Sequence, residues 1–308
     1  MVQASQNTAQ KLARNMDRLQ QRHHTLAFTY AVIKKYGDDN AGRQAALLTY
    51  YGFLSLFPLL LVATSVVDFI AQRNVHLRER LLADATSYFP VVGRQLQQNI
   101  GSSRTGLALV IGLLFAFYGA RGIADAVGSA LDTVWGIPRR KRSGFPLRLL
   151  KSLGLLLGGG TGLLLTTALA SYATAALGHS FIFRLAPLAI NVVLLYLIVT
   201  YVFLLGPSER RARRDLRLGA VATVVGLLIL QTIGGYLITH ELRNTSGAYG
   251  QFALVLTLMF WLYLLAQVFM YSAEINVVHT YALWPRGLTG HPPTAADGKA
   301  ARLHTGEL

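Results

Sequence analysis

The chain has 308 residues, of which 53% are hydrophobic and only 14% are charged. Soluble domains carry about 25% charged residues, so too few charges are present to build an ordinary water-facing shell. The net charge of +15 suits contact with nucleic acid or with an anionic lipid surface. Because the chain contains no Cys, disulfides, thiolate metal sites and Cys nucleophiles are excluded.

Six apolar stretches are long enough, or nearly so, to cross a bilayer, which takes about 20 helical residues. They are Ala46–Val67, Gly106–Ala120, Ser152–Leu177, Leu185–Gly206, Leu218–Thr239 and Phe252–Ala273, and none contains Asp, Glu, Lys or Arg. The second stretch is the shortest, so we expect its helix to continue through Arg121 into Ile123–Trp135. The sequence therefore predicts an all-α, polytopic membrane protein with six transmembrane helices.

The Lys and Arg residues outside the spans predict which way the chain faces. With the N-terminus inside, 22 of the 29 Lys and Arg residues fall on the cytoplasmic side. Positive charge is enriched in cytoplasmic loops, so we expect both termini in the cytoplasm. The runs Arg139–Arg142 and Arg210–Arg214 are interpreted as topology signals that also touch anionic headgroups. An RNA site is disfavoured because no aromatic residues interleave these runs.

The chain divides into three predicted parts. Residues 1–23 are a cytoplasmic N-terminal tail, and residues 24–280 are the six-helix membrane domain. Residues 281–308 are expected to be a disordered cytoplasmic tail, because their composition is polar and includes Pro and Gly.

Short helices are also predicted outside the spans. Apolar spacing over residues 24–36 indicates an amphipathic helix lying at the cytoplasmic interface. In the periplasmic loop, residues 68–105, the stretches Leu77–Tyr88 and Val91–Ile100 have helical spacing and are separated by Pro90. We expect these two helices to form a small cap over the outer face.

A series of short motifs runs through about residues 25–280. They are Asp39–Gly42 followed by Ala45–Leu61, then Tyr118–Trp135 with an ALN-x-x-W-like Ala130–Trp135, then Gly219-Ala220, Tyr249-Gly250, Trp261–Tyr263 and Ala273-Glu274. This ordered set resembles the YihY/BrkB family of polytopic inner-membrane proteins. Asp132 stands where the family usually has Asn, and Ser272 stands where a Gly usually precedes Ala-Glu.

The resemblance implies a six-helix fold and an inner-membrane location, without an agreed biochemical activity. Some members were formerly labelled as a tRNA-processing ribonuclease of the ribonuclease BN type. The 8 His residues lack metal-ligand spacing, the cytoplasmic carboxylates are scattered, and neither a phosphate-binding loop nor a nucleophile elbow is present. We therefore expect no enzyme activity, no catalytic residue, no metal and no cofactor.

Glu274, at the end of the sixth span, is the main candidate for substrate binding or coupling. A charged group at the centre of a membrane helix costs about 2.5–3.5 kcal/mol, and Gln267 shares the helix face of Glu274. Arg121 and Asp125 share a face of the second span. Helix depth predicts convergence in the cytoplasmic half of the bundle for Tyr50, Arg121, Asp125 and Glu274. The alternative is a structural role for these residues, as interfacial hydrogen-bonding groups or as an ion pair between helices.

Two further features concern helix shape and packing. Pro58 predicts a kink in the first span, and Ser55 is placed to repair the backbone bonding that Pro loosens. The alternative for this pair is a gate or a cavity lining. Gly154, Gly158 and Gly162 predict a close-packing face on the third span, with a dimer seam as the alternative.

These features favour a transporter or translocation facilitator for an amphiphilic or lipid-like anionic substrate. The spans lack the embedded charge pairs of a typical ion-coupled carrier, and cytoplasmic basic clusters suit an anionic amphiphile. The alternative is a non-transporting envelope scaffold or interaction protein. The expected partners are membrane lipids, with anionic headgroups at the basic cytoplasmic loops and without nucleic acid, and a homo-oligomer is one option for the assembly. The substrate, the energy source, the existence of flux, the oligomeric state and the roles of Asp132 and Ser272 stay open.

Overall fold

The computed structural model describes residues 23–71, 106–144, 146–155, 157–158, 162, 181–240, 250–288 and 293–307. Within these residues the regular structure is helical and no strand occurs, which confirms the all-α class. The helices are α1 (His24–Asp38), α2 (Ala41–Ala71), α3 (Gly106–Val134), α4 (Phe181–Leu205), α5 (Arg213–His240), α6 (Gly250–Tyr281) and α7 (Ala295–Thr305). Residues 146–155 are also helical, and Arg139–Lys141 form a turn of 3-10 helix.

Two stretches of the described residues are long and apolar enough to cross a membrane. They are Arg213–Ile233 in α5 and Val255–Tyr281 in α6, judged by length and composition alone. The apolar part of α4, Ala189–Leu205, is shorter. The predicted count of six spans is therefore not confirmed.

Helix α3 runs without a break from Gly106 to Val134, over 29 residues. At about 1.5 Å of rise per residue, this helix has the length that the second span needed. It continues through Arg121, as predicted. Most of the predicted third span lies outside the described residues, and so do the predicted helices Leu77–Tyr88 and Val91–Ile100.

The apolar core of the described part is formed by buried residues of all six helices from α1 to α6, with Leu303 of α7. Phe203 of α4 and Phe269 of α6 stack with ring centroids 5.2 Å apart. Trp135, directly after α3, contacts Tyr281 edge-on at 6.2 Å. These contacts hold the ends of three helices together beside the candidate site.

A glycine face on the third predicted span packs against α4. A Cβ at Gly154 would lie 2.9 Å from Leu205 Cδ2, and one at Gly162 would lie 2.7 Å from Ile198 Cγ1. At Gly158 a Cβ would overlap the ring of Tyr201. The predicted close-packing face is thus confirmed, and it serves a contact inside one chain.

Helix α1 confirms the predicted helix near the N-terminus and extends it to Asp38. One face is buried, through Ala27, Ala31, Val32 and Lys35. This face packs against the apolar core that includes α6. A charged residue, Lys35, therefore lies on the buried side of this amphipathic helix.

The C-terminal tail is ordered where the structure describes it, so the expected disorder of residues 281–308 is wrong for 281–288 and 293–307. Thr294 and Asp297 form a capping box at the start of α7, which satisfies backbone donors at the helix N-terminus. Leu303 is 3% exposed and packs against Gly136, which follows α3. Composition indicated disorder, but the capping box stabilises the start of α7, and the buried Leu303 side chain holds this helix on the bundle.

Helix α5 crosses α6 at close range, and Gly219 permits the crossing. Its backbone N–H donates to Asn276 Oδ1 at 2.6 Å. A Cβ at Gly219 would overlap the Ser272 carbonyl oxygen and the Asn276 side chain. The Ser272 hydroxyl donates to the Val268 carbonyl oxygen at 2.7 Å, so this departure from the family pattern is satisfied within its own helix.

We predict that Gly219→Ala destabilises the protein, because backbone and side-chain atoms of α6 occupy the space of the added methyl group. Overpacking of this kind costs about 1–3 kcal/mol. The measurement is the thermal unfolding midpoint of detergent-solubilised protein. The matched control is Gly298→Ala in α7, where an added Cβ meets nothing within 4 Å. A midpoint for Gly219→Ala equal to that of the control would contradict the close crossing.

Candidate functional site

The candidate site is centred on Glu274, which is 0% exposed near the C-terminal end of α6. Its Oε2 atom lies 3.0 Å from the Lys35 ammonium of α1. Beyond this ion pair, neither carboxylate oxygen accepts a hydrogen bond within the described residues. A buried carboxylate with so few donors is costly to keep ionised.

Lys35 joins three parts of the structure through one nitrogen atom. Besides Glu274, its ammonium donates to Asp39 Oδ2 and to the Val134 carbonyl oxygen at 2.9 Å. Asp39 caps the end of α1, and Val134 is the last residue of α3, where helix carbonyls lack partners within the helix. The ammonium thus binds two carboxylates and the negative end of a helix dipole.

The charge of Lys35 is stabilised although the side chain is buried. Burial alone would lower the pKa of the ammonium, but the carboxylates of Glu274 and Asp39 outweigh burial and raise it. With Lys35 charged, the two carboxylates leave the cluster one negative charge in excess if both are ionised. We call Lys35, Asp39 and Glu274 the buried charge cluster.

A cavity of about 330 Å³ lies beside the buried charge cluster, between α1, the end of α3 and α7. Lys35 and Asp39 contribute to its wall from the inner side, and His304 contributes from α7. The remaining lining residues are Asp38, Thr133, Gly136, Arg286, Asp297, Ala300, Ala301 and Leu303. Glu274 is not part of this lining, so the cavity meets the buried charge cluster at Lys35 and Asp39.

Ion pairs hold the tail over this cavity. Arg286 lies 2.8 Å from Asp38 Oδ2 and 3.0 Å from Asp297 Oδ1. Lys34 donates to the Gly287 carbonyl oxygen at 2.7 Å and to Asp297 Oδ1 at 3.0 Å. Charged groups of the tail are therefore paired directly with charged groups of α1.

Asp297 is the centre of this attachment. Burial opposes its ionisation, but hydrogen bonds from the backbone N–H groups of Gly287 and Thr294 and from Lys34 outweigh burial and hold its pKa well below the usual range. The attachment is therefore charged throughout the neutral and mildly acidic range.

Gln267, predicted to share a face with Glu274, also meets α1. Tyr36 donates to Gln267 Oε1, and its ring stacks on Tyr271 with centroids 4.1 Å apart. Burial, followed by the neighbouring Tyr271, raises the pKa of Tyr36 to about 12. The phenol therefore keeps its proton and acts as a hydrogen-bond donor at physiological pH.

The described contacts of the four candidates fall into separate groups, and their expected convergence stays a prediction. Glu274 pairs with Lys35, whereas Arg121 lies 3.9 Å from Asp125 on its own helix. Asp125 in turn lies 3.2 Å from Arg148 and accepts a hydrogen bond from Ser152 at 2.7 Å. The set divides because the pairing depends on how each helix is rotated, which spacing along one helix does not determine.

Tyr50 is 54% exposed and contacts the ring of Tyr51, so it does not lie in the buried charge cluster. Ser55 is 2% exposed and donates to the Gly52 carbonyl oxygen at 2.8 Å. Pro58 has no N–H to donate to the Leu54 carbonyl oxygen. The Ser55 hydroxyl donates to Gly52 and not to Leu54, so it does not replace the missing hydrogen bond. Helix α2 nevertheless continues past Pro58 to Ala71.

Asp132 has a clear structural role. Its two oxygens accept from the backbone N–H and the hydroxyl of Ser208, each at 2.6 Å. The same hydroxyl accepts from the Ser143 N–H at 2.9 Å. The carboxylate thereby ties the loop after α3 to the loop after α4, which carry the two basic runs.

Sequence reasoning missed Lys35, although a signal was present. Ala27, Ala31 and Lys35 recur every four residues and so share one face of α1. A Lys in line with two Ala residues on the apolar face indicates a buried charge that needs an acidic partner.

A helical membrane protein with a buried charge cluster is the class that this fold and site define. Residues 32–296 match the family model described as Virulence factor BrkB. The match covers most of the chain, and the chain belongs to this family, as the sequence motifs indicated.

Two curated relatives resemble the chain over most of their length. Inner membrane protein YhjD of Escherichia coli (strain K12) is 24% identical over 86% of this chain and 85% of its own length. A ribonuclease-like protein of Bacillus subtilis (strain 168), YfkH, is 21% identical over 82% of this chain and 95% of its own.

A third relative, the UPF0761 membrane protein Nmul_A0452 of Nitrosospira multiformis, is 27% identical over 77% of this chain and 57% of its own length. No solved structure matches the chain. The relatives agree with a membrane protein, and the ribonuclease-like name belongs to a distant relative only.

We predict that Lys35→Gln strongly destabilises the protein. It leaves two buried carboxylates without their shared cation, and breaking a buried pair costs about 3–5 kcal/mol. The measurement is again the unfolding midpoint in detergent. Lys299→Gln, on the exposed side of α7, is the control. Adding Glu274→Gln to Lys35→Gln should recover part of the loss, and an additive double variant would argue against the pairing.

We predict that the tail stays docked between pH 7 and pH 5 and that Asp297→Asn releases it. A carboxylate with a depressed pKa contributes stability that is complete above its unfolded value of 3.8 and is lost as the pH falls below it. A spin label on Thr305→Cys reports mobility, since the chain has no other Cys. Release of the tail already at pH 5, or an unchanged spectrum in Asp297→Asn, would contradict this attachment.

Proposed function

We propose that the protein facilitates translocation of an anionic amphiphile across the bacterial inner membrane, with both termini in the cytoplasm. The observation that carries the proposal is Glu274, which is fully buried in an apolar helix and paired with a Lys of another helix. Ionisable groups in membrane helices are costly and mark functional sites by default. Replacing buried ion pairs by apolar residues is often neutral or stabilising, so stability alone is a weak reason to keep this one.

The cytoplasmic surface supports an anionic substrate. The loops after α3 and α4 are tied together by Asp132 and Ser208, which places the two basic runs side by side. The exposed basic residues of this surface are Arg139, Arg140, Lys141, Arg210, Arg213, Arg214 and Arg217. Basic clusters next to a membrane attract anionic headgroups by about 1 kcal/mol per charge.

The proposal includes membrane lipids as partners and a homo-oligomer as the assembly, and it assigns no enzyme activity, cofactor or nucleic-acid ligand. The supporting observation is that the charged groups near Glu274 form ion pairs with each other, Lys35 with Asp39 and Lys35 with Glu274. Nothing in this arrangement resembles a nucleophile with its base, so the proposed role is movement of a substrate rather than its conversion.

A non-transporting scaffold is the second candidate. The observation that favours it is the number of ion pairs that fasten the tail and α1 to the bundle, through Lys34, Lys35 and Arg286. Such bracing suits a rigid platform for other envelope proteins. In that case the charge of Glu274 is a structural detail, and a neutral amide can replace it.

We predict that the purified protein in proteoliposomes accelerates the transfer of a fluorescent phospholipid with an anionic headgroup between leaflets. Glu274→Gln should reduce the rate by about tenfold or more, equivalent to about 1.4 kcal/mol, because the amide keeps the shape but loses the charge. The measurement is the fraction of fluorophore that a membrane-impermeant reductant bleaches over time. The headgroup control is the same lipid with a choline headgroup.

Glu307→Gln, an exposed carboxylate at the end of the tail, is the matched variant control and should transfer lipid at the wild-type rate. Insertion and thermal stability of each variant are checked in parallel. A wild-type protein that transfers no anionic lipid, or a stable Glu274→Gln protein that is fully active, would reject charge-dependent translocation and favour the scaffold.

A further inference from the structure

The buried charge cluster holds two carboxylates and one ammonium, and this imbalance has a chemical consequence. Asp39 and Glu274 both lie against the Lys35 nitrogen, so the two carboxyl groups are neighbours. Like charges that share a buried site do not both stay ionised with a single cation between them. One additional proton makes the cluster neutral.

Glu274 is suited to take that proton. Only its Oε2 faces the ammonium, and its carboxylate receives no hydrogen bond within the described residues. When protonated, the group becomes a donor and is less costly to bury than the anion. Asp39, by contrast, accepts a hydrogen bond from Lys35.

Asp39 faces both the cluster and the cavity. Its Oδ2 accepts from Lys35 on the inner side, and its Oδ1 lies 3.7 Å from His304 Nδ1 on the outer side. The His304 side chain is 64% exposed, so a small side-chain rotation brings the ring within hydrogen-bond distance. The cavity of about 330 Å³ adjoins Asp39 and His304 together.

We propose that His304, Asp39 and Glu274 form a proton path that connects the aqueous phase with a proton-binding site at Glu274. A proton arrives on the His304 imidazole, passes from Nδ1 to Asp39 Oδ1, and turns inward as the Asp39 carboxyl group rotates. It is then transferred to Glu274, which leaves Asp39 ionised beside Lys35. The path deepens the proposed function by naming the proton as the coupling ion, and in this respect it rests on that function.

The other groups that face the cluster are compatible with this path. Lys35 stays charged beside the two carboxylates and therefore fixes the charge of the cluster. Tyr36, on the same helix, keeps its proton and bonds to Gln267. From α3 the cluster meets the Val134 carbonyl oxygen, and at the outer side Arg286 is paired with Asp38 and Asp297. Among the described residues that line the cavity, His304 is the one that carries an imidazole, a side chain that commonly shuttles protons in proteins.

The test is infrared spectroscopy of the purified full-length protein in lipid nanodiscs during a rapid change of pH. Wild type should show the carbonyl stretch of a protonated carboxyl group, and Glu274→Gln should abolish that band. His304→Gln should slow the appearance of the band by on the order of tenfold or more, since a positioned proton carrier contributes at least this much. His23→Gln, another exposed His, is the matched control and should leave the rate unchanged.

Asp39→Asn provides a second test that does not need folded Glu274→Gln protein. It leaves one carboxylate and one ammonium, a neutral pair that needs no proton, so the band should disappear near neutral pH. The path is overturned if the wild type shows no band that depends on Glu274, if Asp39→Asn leaves the band unchanged, or if His304→Gln and His23→Gln behave alike.

The lipid-transfer experiment separates this result from the proposed function. A Glu274-dependent band in a protein that transfers no lipid supports the proton path and removes the transport role. A protein that transfers lipid and loses this activity in Glu274→Gln, but shows no such band, supports charge-dependent translocation and overturns the path.

Discussion

One buried ammonium determines how the described helices meet. Lys35 extends from α1 to Glu274 of α6 and to the last carbonyl of α3, and it holds Asp39 at the end of its own helix. In a low-dielectric interior such a cation must be paired, because an isolated charge there is far more costly than a lost hydrogen bond. Its three contacts can be made at once only if α1, α3 and α6 end close together, so the charge specifies the arrangement of all three helices.

The tail completes the environment of this charge. Arg286, Lys34 and Asp297 fasten residues 286–297 to α1, and Leu303 closes against the turn after α3. Helix α7 thus covers the buried charge cluster on the side of the cavity that Asp39 and His304 line. The covering keeps the cluster's ion pairs strong, since electrostatic interactions weaken when water reaches them.

Much of the fold followed from the sequence, because hydrophobic length and small-residue spacing are local properties. The continuation of α3 through Arg121 and the glycine face formed by Gly154, Gly158 and Gly162 were both predicted in this way. Lys35, the partner of Glu274, could not be predicted in this way. A contact between residues so far apart in the chain depends on helix rotation and tertiary packing. The ordered tail was missed for another reason: average composition does not register a cap made by only Thr294 and Asp297.

The buried ion pair between Lys35 and Glu274 can be tested by measuring a distance. Solid-state NMR can measure the dipolar coupling between Lys side-chain nitrogen and Glu carboxylate carbon in labelled protein within lipid bilayers. We expect a strong coupling, consistent with the 3.0 Å contact, that disappears in Lys35→Gln and persists in Lys141→Gln, whose ion pair with Glu209 is exposed. A spectrum in which Lys35→Gln removes no coupling would show that Lys35 and Glu274 are not paired.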